Sequence, residues 1–262
     1  MSGADHSFVV LAYEDSPFLA GCLRSLRDQT LASPVLVSTS TPCAHIRAAA
    51  ADAEAPVIVN PRREGIAGDW NFALEAASSR FVTLAHQDDL YAAAFTESTM
   101  RLFARHPDAG LCFTGYQEID DAGAPTRSRI SRVKHLIEAV TLGRREAVSG
   151  LRLRLFLSFG NPLPCSSVTF DRQHLDNFRF SSDYASNLDW EAWWRLRREG
   201  HPFLHAAERL VGRRHNALTE TSRLIRDGRR ATEDARMFGQ IWPRPVAGLL
   251  STLYASSYTA AR

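Results

Sequence analysis

Residues 81–90 read Phe81-Val82-Thr83-Leu84-Ala85-His86-Gln87-Asp88-Asp89-Leu90 and combine a candidate strand with a pair of carboxylates. The first five residues have the apolar and β-branched character of a buried strand. In an open α/β sheet, ligands bind beyond the carboxyl ends of the strands, which is where Asp88 and Asp89 fall. Adjacent ionised carboxylates repel each other unless a cation or hydrogen bonds hold them, so a divalent metal that bridges two phosphates explains the pair. The alternative is that both residues cap the next helix.

Strands and helices alternate in the chain that leads up to this stretch. Apolar runs predict strands over residues 8–13, 35–37, 57–59 and 81–85, and helical periodicity predicts helices over 17–28, 42–53 and 68–77. Ser16 and Pro17 have the N-cap and first-position preferences of a helix start. This alternation is typical of βαβ units in a mostly parallel sheet, so the loops that follow the strands share one edge.

The polar residues at that edge exclude two common nucleotide-binding classes. No Gly-x-Gly-x-x-Gly follows the first strand, and the chain has no Gly-Lys-Ser/Thr loop, which argues against a dinucleotide dehydrogenase and a P-loop enzyme. An anion bound here is therefore not held mainly by a glycine cradle. A metal at Asp88 would take that role instead.

Composition and charge indicate a globular protein without nucleic acid as its main partner. The chain has 262 residues, of which 45% are hydrophobic and 23% charged, as in ordinary globular domains. Its net charge of +2 is too small for a dedicated nucleic-acid binder. Residues 126–154 nevertheless contain eight Lys or Arg against two Glu. This basic stretch is either a flap that closes on phosphate groups, including those of a lipid-linked acceptor, or a solvated surface.

The cysteines and the hydropathy pattern predict a cytoplasmic protein. The four cysteines lie far apart and match neither a Cys-x-x-Cys pair nor zinc-finger spacing, so we expect reduced thiols. No basic start is followed by an apolar run, and no apolar stretch is long enough to span a bilayer. Peripheral contact with the inner face of the membrane and a homodimer both remain open.

Several segments, taken in order, carry a family resemblance. They are the opening strand with Tyr13, Leu23-Arg24-Ser25-Leu26-Arg27-Asp28-Gln29-Thr30, Gly65-Ile66-Ala67-Gly68-Asp69-Trp70-Asn71, Asp88-Asp89, Asn187-Leu188-Asp189-Trp190-Glu191-Ala192-Trp193-Trp194-Arg195-Leu196 and Arg213-Arg214-His215-Asn216. Over residues 6–220, their order and spacing resemble family-2 glycosyltransferases of the GT-A fold. The resemblance implies an α/β fold with a Rossmann-like, mostly parallel central sheet flanked by helices.

The resemblance also implies a domain organisation and an activity. A GT-A domain is expected over residues 1–220, with a nucleotide-sugar-binding half over 1–115 and an acceptor-binding half over 116–220. A C-terminal helical extension is expected over 221–262. The implied reaction is inverting transfer of a sugar from a nucleotide-diphosphate-sugar donor to a glycan, lipid-linked or small-molecule acceptor. Two alternatives stay open, a catalytically degenerate nucleotide-sugar or glycan-binding module and a sugar-phosphate nucleotidyltransferase.

The metal ligands implied by the resemblance depart from the family pattern at one position. Asp88 matches the last metal-binding Asp and would hold Mg²⁺ or Mn²⁺ against the donor diphosphate, while Asp89 would orient the site or the donor ribose. His86 replaces the first carboxylate of the family's Asp-x-Asp. Because imidazole suits softer divalent ions than carboxylate does, this replacement favours Mn²⁺, unless His86 is a plain loop residue. His215 matches a His that completes the metal shell.

The resemblance further implies contacts to the nucleotide. The residues expected to bind the base and ribose of the donor are Tyr13, Glu14, Ser38, Arg63 and Asp69. The family commonly has an acidic residue after the second strand, whereas Ser38-Thr39-Ser40 offers only hydroxyls, so the nucleotide base stays open.

Asp189 matches the family's catalytic base. Inversion needs a carboxylate that takes the acceptor's hydroxyl proton while the charge on the leaving diphosphate is stabilised. Leu188 stands where the family usually has Glu, and the alternative is that Asp189 only caps a helix over 190–199. On the acceptor side, Asn161 and Ser166 are candidates, and Trp190 either contacts a sugar ring or belongs to the core.

The rest of the chain is less informative. A fifth strand is predicted over residues 111–114, and a turn over 120–123 closes a small hairpin. Residues 218–262 fall outside the resemblance, with predicted helices over 231–240 and 246–258. We expect this tail to fold back on the domain, although lying on a membrane or packing a dimer would also suit its amphipathic pattern.

Overall fold

The strands form one mixed sheet. The structure, a computed structural model, describes residues 5–126, 128–214 and 229–259. The sheet has nine strands in the order β3-β2-β1-β4-β8-β6-β9-β5, and β7 pairs with β9. The strands are β1 (His6–Ala12), β2 (Val35–Thr39), β3 (Val57–Val59), β4 (Phe81–His86), β5 (Leu90–Tyr91), β6 (Leu111–Ile119), β7 (Ala147–Val148), β8 (Val168–Asp171) and β9 (Phe203–Arg214).

Helices connect these strands and extend the chain at its end. In the described residues they are α1 (Leu19–Arg27), α2 (Ala44–Asp52), α3 (Gly65–Ala76), α4 (Phe95–Arg105), α5 (Arg129–Thr141), α6 (Gly150–Leu157), α7 (Leu188–Arg198), α8 (Arg229–Ile241) and α9 (Arg244–Thr259). The three helices predicted in the first half are confirmed, with shifted ends. α1 begins two residues later than predicted, because the Ser16 hydroxyl accepts from the Phe18 amide in a turn that precedes it.

The first half is parallel, as the alternation of strands and helices predicted. β3, β2, β1 and β4 pair in parallel, so their carboxyl ends meet at one edge of the sheet. β8 then pairs antiparallel with both β4 and β6. This arrangement confirms an α/β fold with a mostly parallel central sheet.

The core lies on both faces of the sheet. Along β1, Phe8 and Val10 belong to one apolar cluster and Val9 to another, as expected when successive side chains point to opposite faces of a strand. The cluster around Phe8 includes residues of α1 and α2, and the cluster around Val9 includes residues of α3 and α7. Because β1 is buried on both faces, the loops at its carboxyl end stand on a rigid platform.

The strongest difference from the predicted fold is β9. The sequence did not predict a strand there, yet β9 pairs in parallel with β6 up to the register of Ile119 with Arg214. β9 also pairs antiparallel with β5, where Leu90 faces Gly212. This pairing carries the end of β9 next to the two carboxylates that precede β5. The fifth strand predicted from the sequence, over residues 111–114, is confirmed as β6, which runs five residues further, to Ile119.

Two helices occupy the basic stretch. α5 begins after Ser128, whose hydroxyl accepts from the Ser131 amide at 3.0 Å, and α6 follows at Gly150. The stretch is thus largely helical, although its periodicity was unclear before Leu151. The predicted turn is confirmed, since Asp120 donates its amide to the Ala124 carbonyl and a single bridge pairs the residues around it.

The C-terminal helices fold back on the domain, as expected. The Phe238 ring of α8 meets the Trp190 ring of α7 edge-on at 5.1 Å, and the indole of Trp242 donates to the Ser158 carbonyl at 2.8 Å. The predicted break between the two helices is shorter than expected, because α9 already begins at Arg244.

Candidate active site

A cluster of three potential metal ligands lies at the carboxyl end of β4. His86 is the last residue of that strand, and Asp88 and Asp89 follow in the turn before β5. One ligand atom from each of the three residues lies within 4.8 Å of the others. The alternative that the two carboxylates cap the next helix is wrong, because that helix begins at Phe95 with Ala94 at its N-cap.

Burial controls the charges of this cluster. It raises the pKa of the Asp89 carboxyl, and the neighbouring Asp88 charge raises it further. Burial also lowers the pKa of His86, so its imidazole is neutral at physiological pH. The His86 Nε2 atom is buried and has no hydrogen-bond partner among the described residues. A neutral imidazole nitrogen beside two carboxylates is a donor set that suits a divalent transition metal, so the residues present fit the metal that the resemblance implies.

Arg214 holds the Asp89 carboxylate and the main chain of Asp88 in place. Its main-chain amide donates to Asp89 Oδ1 and its Nε to the Asp88 carbonyl, both at 2.9 Å. The guanidinium also donates to the Asp120 carbonyl and stacks over the Phe18 ring at 4.2 Å. We did not predict this contact, although the basic segment of residues 213–216 was a signal for it. His215 lies outside the described residues, so its metal role stays a prediction.

Hydrogen bonds tie together the loops of the predicted donor side. The Tyr13 amide donates to Gln87 Oε1, and Gln87 Nε2 donates back to the Tyr13 carbonyl, each at 3.0 Å. Glu14 has a positive φ of 51°, and its amide donates to Thr41 Oγ1 at 2.7 Å. The structure therefore brings the loops after β1, β2 and β4 together, with the Tyr13 side chain exposed.

The remaining donor candidates are placed differently. Asp69 accepts from Asn60 Nδ2 and from Ser40 Oγ, both at 2.8 Å, so it links the loops after β2 and β3. Ser38 is a correction to the predicted loop, because β2 runs to Thr39 and leaves Ser38 buried inside the strand. Arg63 is exposed in the loop that precedes α3. The roles of these residues in donor binding stay predictions.

Asp189 lies in the first turn of α7, opposite a polar loop. The helix begins at Leu188 with Asn187 at its N-cap, so the alternative that Asp189 only caps it is wrong. Asn161 Nδ2 donates to Asp189 Oδ2 at 2.7 Å, and the Trp190 amide donates to Oδ1 at 2.8 Å. Burial raises the pKa of Asp189, while the Arg230 charge and the hydrogen bond from Asn161 oppose the rise. A carboxylate with a raised pKa is suited to accept a proton.

The acceptor candidates are not equivalent. Trp190 is fully buried, its indole donates to the Leu157 carbonyl at 2.9 Å, and its ring packs against Phe238. It belongs to the core and offers no surface to a sugar, so its predicted acceptor contact is wrong. Ser166 is buried too, with its carbonyl accepting from the Tyr91 hydroxyl at 2.9 Å. Its hydroxyl opposes the rise in the pKa of Asp89, so it lies by the carboxylate cluster.

Arg213 connects the carboxylate cluster to Asp189. Its charge lowers the pKa of His86 and Asp89, and it also lowers the pKa of Asp189. The charge of one side chain therefore acts on the ionisation of both groups. The sequence assigned no role to Arg213 by itself, although the basic segment around it was part of the family resemblance.

Lys134 of α5 is a further basic side chain whose ionisation is coupled to Asp189. Burial and the charges of Arg213 and Arg230 lower the pKa of its amine to about 7, and Asp189 is among the groups that oppose the change. The basic stretch around residue 134 was noticed in the sequence, but which of its members faces the site depends on how α5 packs.

The C-terminal helices brace both segments that surround Asp189. The Glu233 carboxylate of α8 accepts from the amides of Ala185, Ser186 and Asn187 at 2.8, 2.8 and 2.9 Å. On the other side, a Cβ at Gly160 would lie 2.6 Å from the Tyr254 ring of α9. Gly160 also has a positive φ of 122°, so this close approach next to Asn161 requires glycine.

The fold and the site together define a glycosyltransferase with the GT-A fold. Residues 7–161, more than half of the chain, match the model of glycosyl transferase family 2. The chain belongs to this family. Among curated proteins, none matches the chain.

Solved glycosyltransferase structures share the fold. Residues 1–349 of S. aureus TarS in complex with UDP-GlcNAc are 13% identical with a TM-score of 0.65, and the match covers 92% of this chain and 71% of that one. The mannosyltransferase PcManGT from Pyrobaculum calidifontis, in complex with GDP-Man and Mn²⁺, is 16% identical with a TM-score of 0.65, covering 98% and 73%. Glucosyl-3-phosphoglycerate synthase from Mycobacterium tuberculosis is 16% identical with a TM-score of 0.56, covering 88% and 79%.

Proposed function

We propose that this chain is an inverting glycosyltransferase that uses a nucleotide-diphosphate sugar, a divalent metal and Asp189 as general base. One observation carries the proposal. The segment of residues 161–166 contacts both groups, because Asn161 Nδ2 donates to Asp189 Oδ2 at 2.7 Å and the Ser166 carbonyl accepts from the hydroxyl of Tyr91, two residues after Asp89, at 2.9 Å. A diphosphate near Asp89 would therefore have its sugar near Asp189. Family membership supports sugar transfer as the reaction.

The donor diphosphate would bind at the carboxylate cluster. His86, Asp88 and Asp89 would hold the metal, which when bound neutralises charge on the phosphates. The imidazole in this ligand set favours Mn²⁺ over Mg²⁺. UDP-GlcNAc and GDP-Man, the ligands of the similar structures, are the first donors to test on this chain.

Asp189 would act on the acceptor. As the acceptor hydroxyl oxygen attacks the anomeric carbon, its proton moves to the Asp189 carboxylate, and the bond from the anomeric carbon to the diphosphate oxygen breaks. The nucleoside diphosphate leaves with that electron pair. Arg213, and Lys134 in its protonated form, would stabilise the negative charge that develops on the diphosphate. The hydrogen bond from Asn161 keeps the carboxylate oriented.

A second candidate function is a binding module without turnover. It is favoured by His86, which replaces a carboxylate of the family's metal motif, and by Leu188, which replaces the acidic residue before the base. Such a module would bind a nucleotide sugar through the same cluster and leave it intact.

The first experiment measures nucleotide binding. Calorimetric titrations of UDP, GDP and dTDP, with and without Mn²⁺, are compared for the wild type and Asp88→Asn. We expect one nucleotide to bind in a metal-dependent way and the variant to lose most of that affinity. If no nucleotide binds with or without Mn²⁺, there is no diphosphate site at this cluster and the proposal fails.

The second experiment separates the enzyme from the binding module. Because the acceptor is unidentified, water serves as the acceptor in the assay. Turnover is measured as the rate at which the nucleotide sugar that binds is hydrolysed to nucleoside diphosphate. Asp189→Asn should lower this rate roughly 10² to 10⁴-fold, the usual worth of a general base, while nucleotide affinity is retained. The matched control is Asp183→Asn, an exposed carboxylate in the segment that precedes α7. Donor binding without turnover in the wild type would favour the binding module.

A further inference from the structure

Exposed apolar side chains are concentrated on one group of helices. In the described part of the chain, eleven large hydrophobic residues are exposed. Nine of them lie on α5, on α6, at Phe159 shortly after α6, and on α9. We name these nine residues the outer apolar face. They are Val133, Leu136, Val140, Leu151, Leu155, Phe159, Val246, Leu249 and Leu253.

α5 is amphipathic, but its apolar stripe points to solvent, whereas a helix that covers a sheet normally turns such a stripe toward the sheet. Its exposed residues Val133, Leu136 and Val140 are 57%, 63% and 72% accessible, and their spacing of three and four places them on one stripe. Apart from the exposed Arg132, the polar residues described on α5 are at least partly buried, and Glu138 Oε1 lies 2.9 Å from His205 Nε2. A helix that packs only on its own domain would bury the apolar stripe. This stripe therefore points to an apolar partner outside the chain.

The stripe continues across the neighbouring helices. Leu151, Leu155 and Phe159 recur every four residues on the outer side of α6 and its end. α5 and α6 are joined where Arg152 Nη1 donates to the Thr141 carbonyl at 3.3 Å. The Phe159 ring lies 5.5 Å from the Trp242 ring, directly before α9. Contacts thus link all three helices, and α9 adds Val246, Leu249 and Leu253 at spacings of three and four.

Basic side chains accompany the outer apolar face. Both acidic residues between positions 128 and 160 are engaged toward the domain, Glu138 with His205 and Glu146 with Arg105. The exposed charges on these helices and their connection are therefore positive, and they belong to Arg132, Arg144, Arg145, Arg152, Arg154 and Arg244.

We propose that the outer apolar face docks on an anionic lipid bilayer, with the leucines and valines at the acyl boundary and the arginines at the headgroups. Charge favours this occupant over a second copy of the chain, because a two-fold interface would bring the same positive surfaces together. In the described residues, no helix is long and apolar enough to cross a membrane. This surface is separate from the proposed donor site.

The test is flotation of the full chain with two kinds of vesicle, phosphatidylcholine alone and an equimolar mixture of phosphatidylcholine and phosphatidylglycerol. We expect the wild type to bind the mixed vesicles and to be released by salt. Leu136→Gln and Leu249→Gln should each weaken binding about ten-fold, because each removes a buried apolar side chain from the contact. Arg132→Gln and Arg154→Gln should each weaken it about five-fold.

Matched controls lie far from these helices. Val59→Gln replaces an exposed apolar residue on β3, and Arg47→Gln an exposed arginine on α2, so both should bind vesicles like the wild type. All six positions are exposed, and circular dichroism checks the fold of each variant. Equal binding to the two vesicle types, or binding to neither, would overturn the proposal. A wild-type dimer that Leu136→Gln converts to a monomer in light scattering would overturn it as well and identify a subunit interface.

Discussion

Asn161 donates a hydrogen bond from Nδ2 to Asp189 Oδ2 over 2.7 Å, which ties the loop after α6 to the first turn of α7. A neutral donor of this kind stabilises the charged form of a carboxylate without adding a charge of its own. Burial acts in the opposite direction and raises the pKa of Asp189. The pKa of the proposed base is therefore set by opposing effects, burial that raises it and the hydrogen bond from Asn161 that lowers it.

Removing that amide should change the pH profile of turnover. A base must be ionised to act, so activity is lost as the pH falls through the pKa of Asp189. Asn161→Ala removes a bond to the ionised form, which raises this pKa further and moves the acid limb about one unit to higher pH. The rate at which the donor is hydrolysed to release nucleoside diphosphate, measured across pH, checks the shift. Asn177→Ala, at an exposed asparagine, is the control. An unchanged acid limb with a lower rate would mean that Asn161 acts elsewhere.

Glu233 should affect turnover through the loop that precedes Asp189. Its carboxylate accepts from three consecutive main-chain amides, and Glu233→Gln replaces a charged acceptor with a weaker neutral one. We expect the free energy of unfolding to fall by about 1–3 kcal/mol. Turnover should fall while nucleotide affinity stays near that of the wild type.

The control for this prediction is Glu208→Gln, an exposed carboxylate paired with Arg101 at 3.5 Å. Its effect on stability should be small, as for surface ion pairs generally. Equal loss of turnover and of nucleotide affinity in Glu233→Gln would indicate general damage to the fold, and then Glu233 would have no specific role at Asp189.

His86→Asp tests the metal preference of the carboxylate cluster. The substitution replaces a neutral nitrogen ligand with a third carboxylate, and oxygen ligands suit Mg²⁺ better than imidazole does. Nucleotide affinity in Mg²⁺ should therefore rise relative to affinity in Mn²⁺. Calorimetry with each metal measures the ratio, and His106→Gln, a change at a histidine outside the cluster, should leave it unchanged. The same ratio in wild type and His86→Asp would exclude His86 as a ligand.

His6 should make the stability of the fold sensitive to pH. It is fully buried between the hydroxyls of Ser33 and Thr83, and burial lowers its pKa from 6.5 to about 3. Between pH 6.5 and about pH 3, the His6 imidazole is therefore protonated in the unfolded chain and neutral in the folded chain. This contribution to stability is thus complete above 6.5 and is lost as the pH falls, by about 2 kcal/mol at pH 5.

Denaturant unfolding at pH 7 and pH 5 measures the change in stability, and His6→Gln should make the loss about 2 kcal/mol smaller because the amide does not titrate. Burial also lowers the pKa of His86, so part of the pH dependence stays in this variant. His106→Gln, at a partly exposed histidine, should keep the wild-type difference between the two pH values. If His6→Gln shows that same difference, the pH dependence comes from other groups.

Local patterns were enough to predict the first half of the fold. Continuous apolar runs at 8–13, 35–37, 57–59 and 81–85 mark central strands because such strands are buried on both faces. The strand and helix ends were less certain. Ser38 was assigned to a loop because it is polar, yet it lies inside β2, since main-chain pairing with β1 extends that strand to Thr39.

The second half was harder to predict because its strands pair over long distances. β9 is rich in arginine toward its end and has no clean alternation, and its partner β6 lies about ninety residues earlier. α5 was obscured for another reason. Its apolar stripe faces outward and its polar face inward, so the pattern did not match a helix that covers a sheet.

The sequence by itself determined the fold class, the family resemblance, and the order of His86, Asp88, Asp89 and Asp189 along the chain, because these depend on local residue patterns. Tertiary structure decided which charges meet. The charge of Arg213 acts on both groups of acids because β9, which carries it, pairs with β5 and β6. Glu233 braces the loop before Asp189 because α8 folds back. Such contacts join residues far apart in the chain, and their energies depend on burial that only the folded state provides.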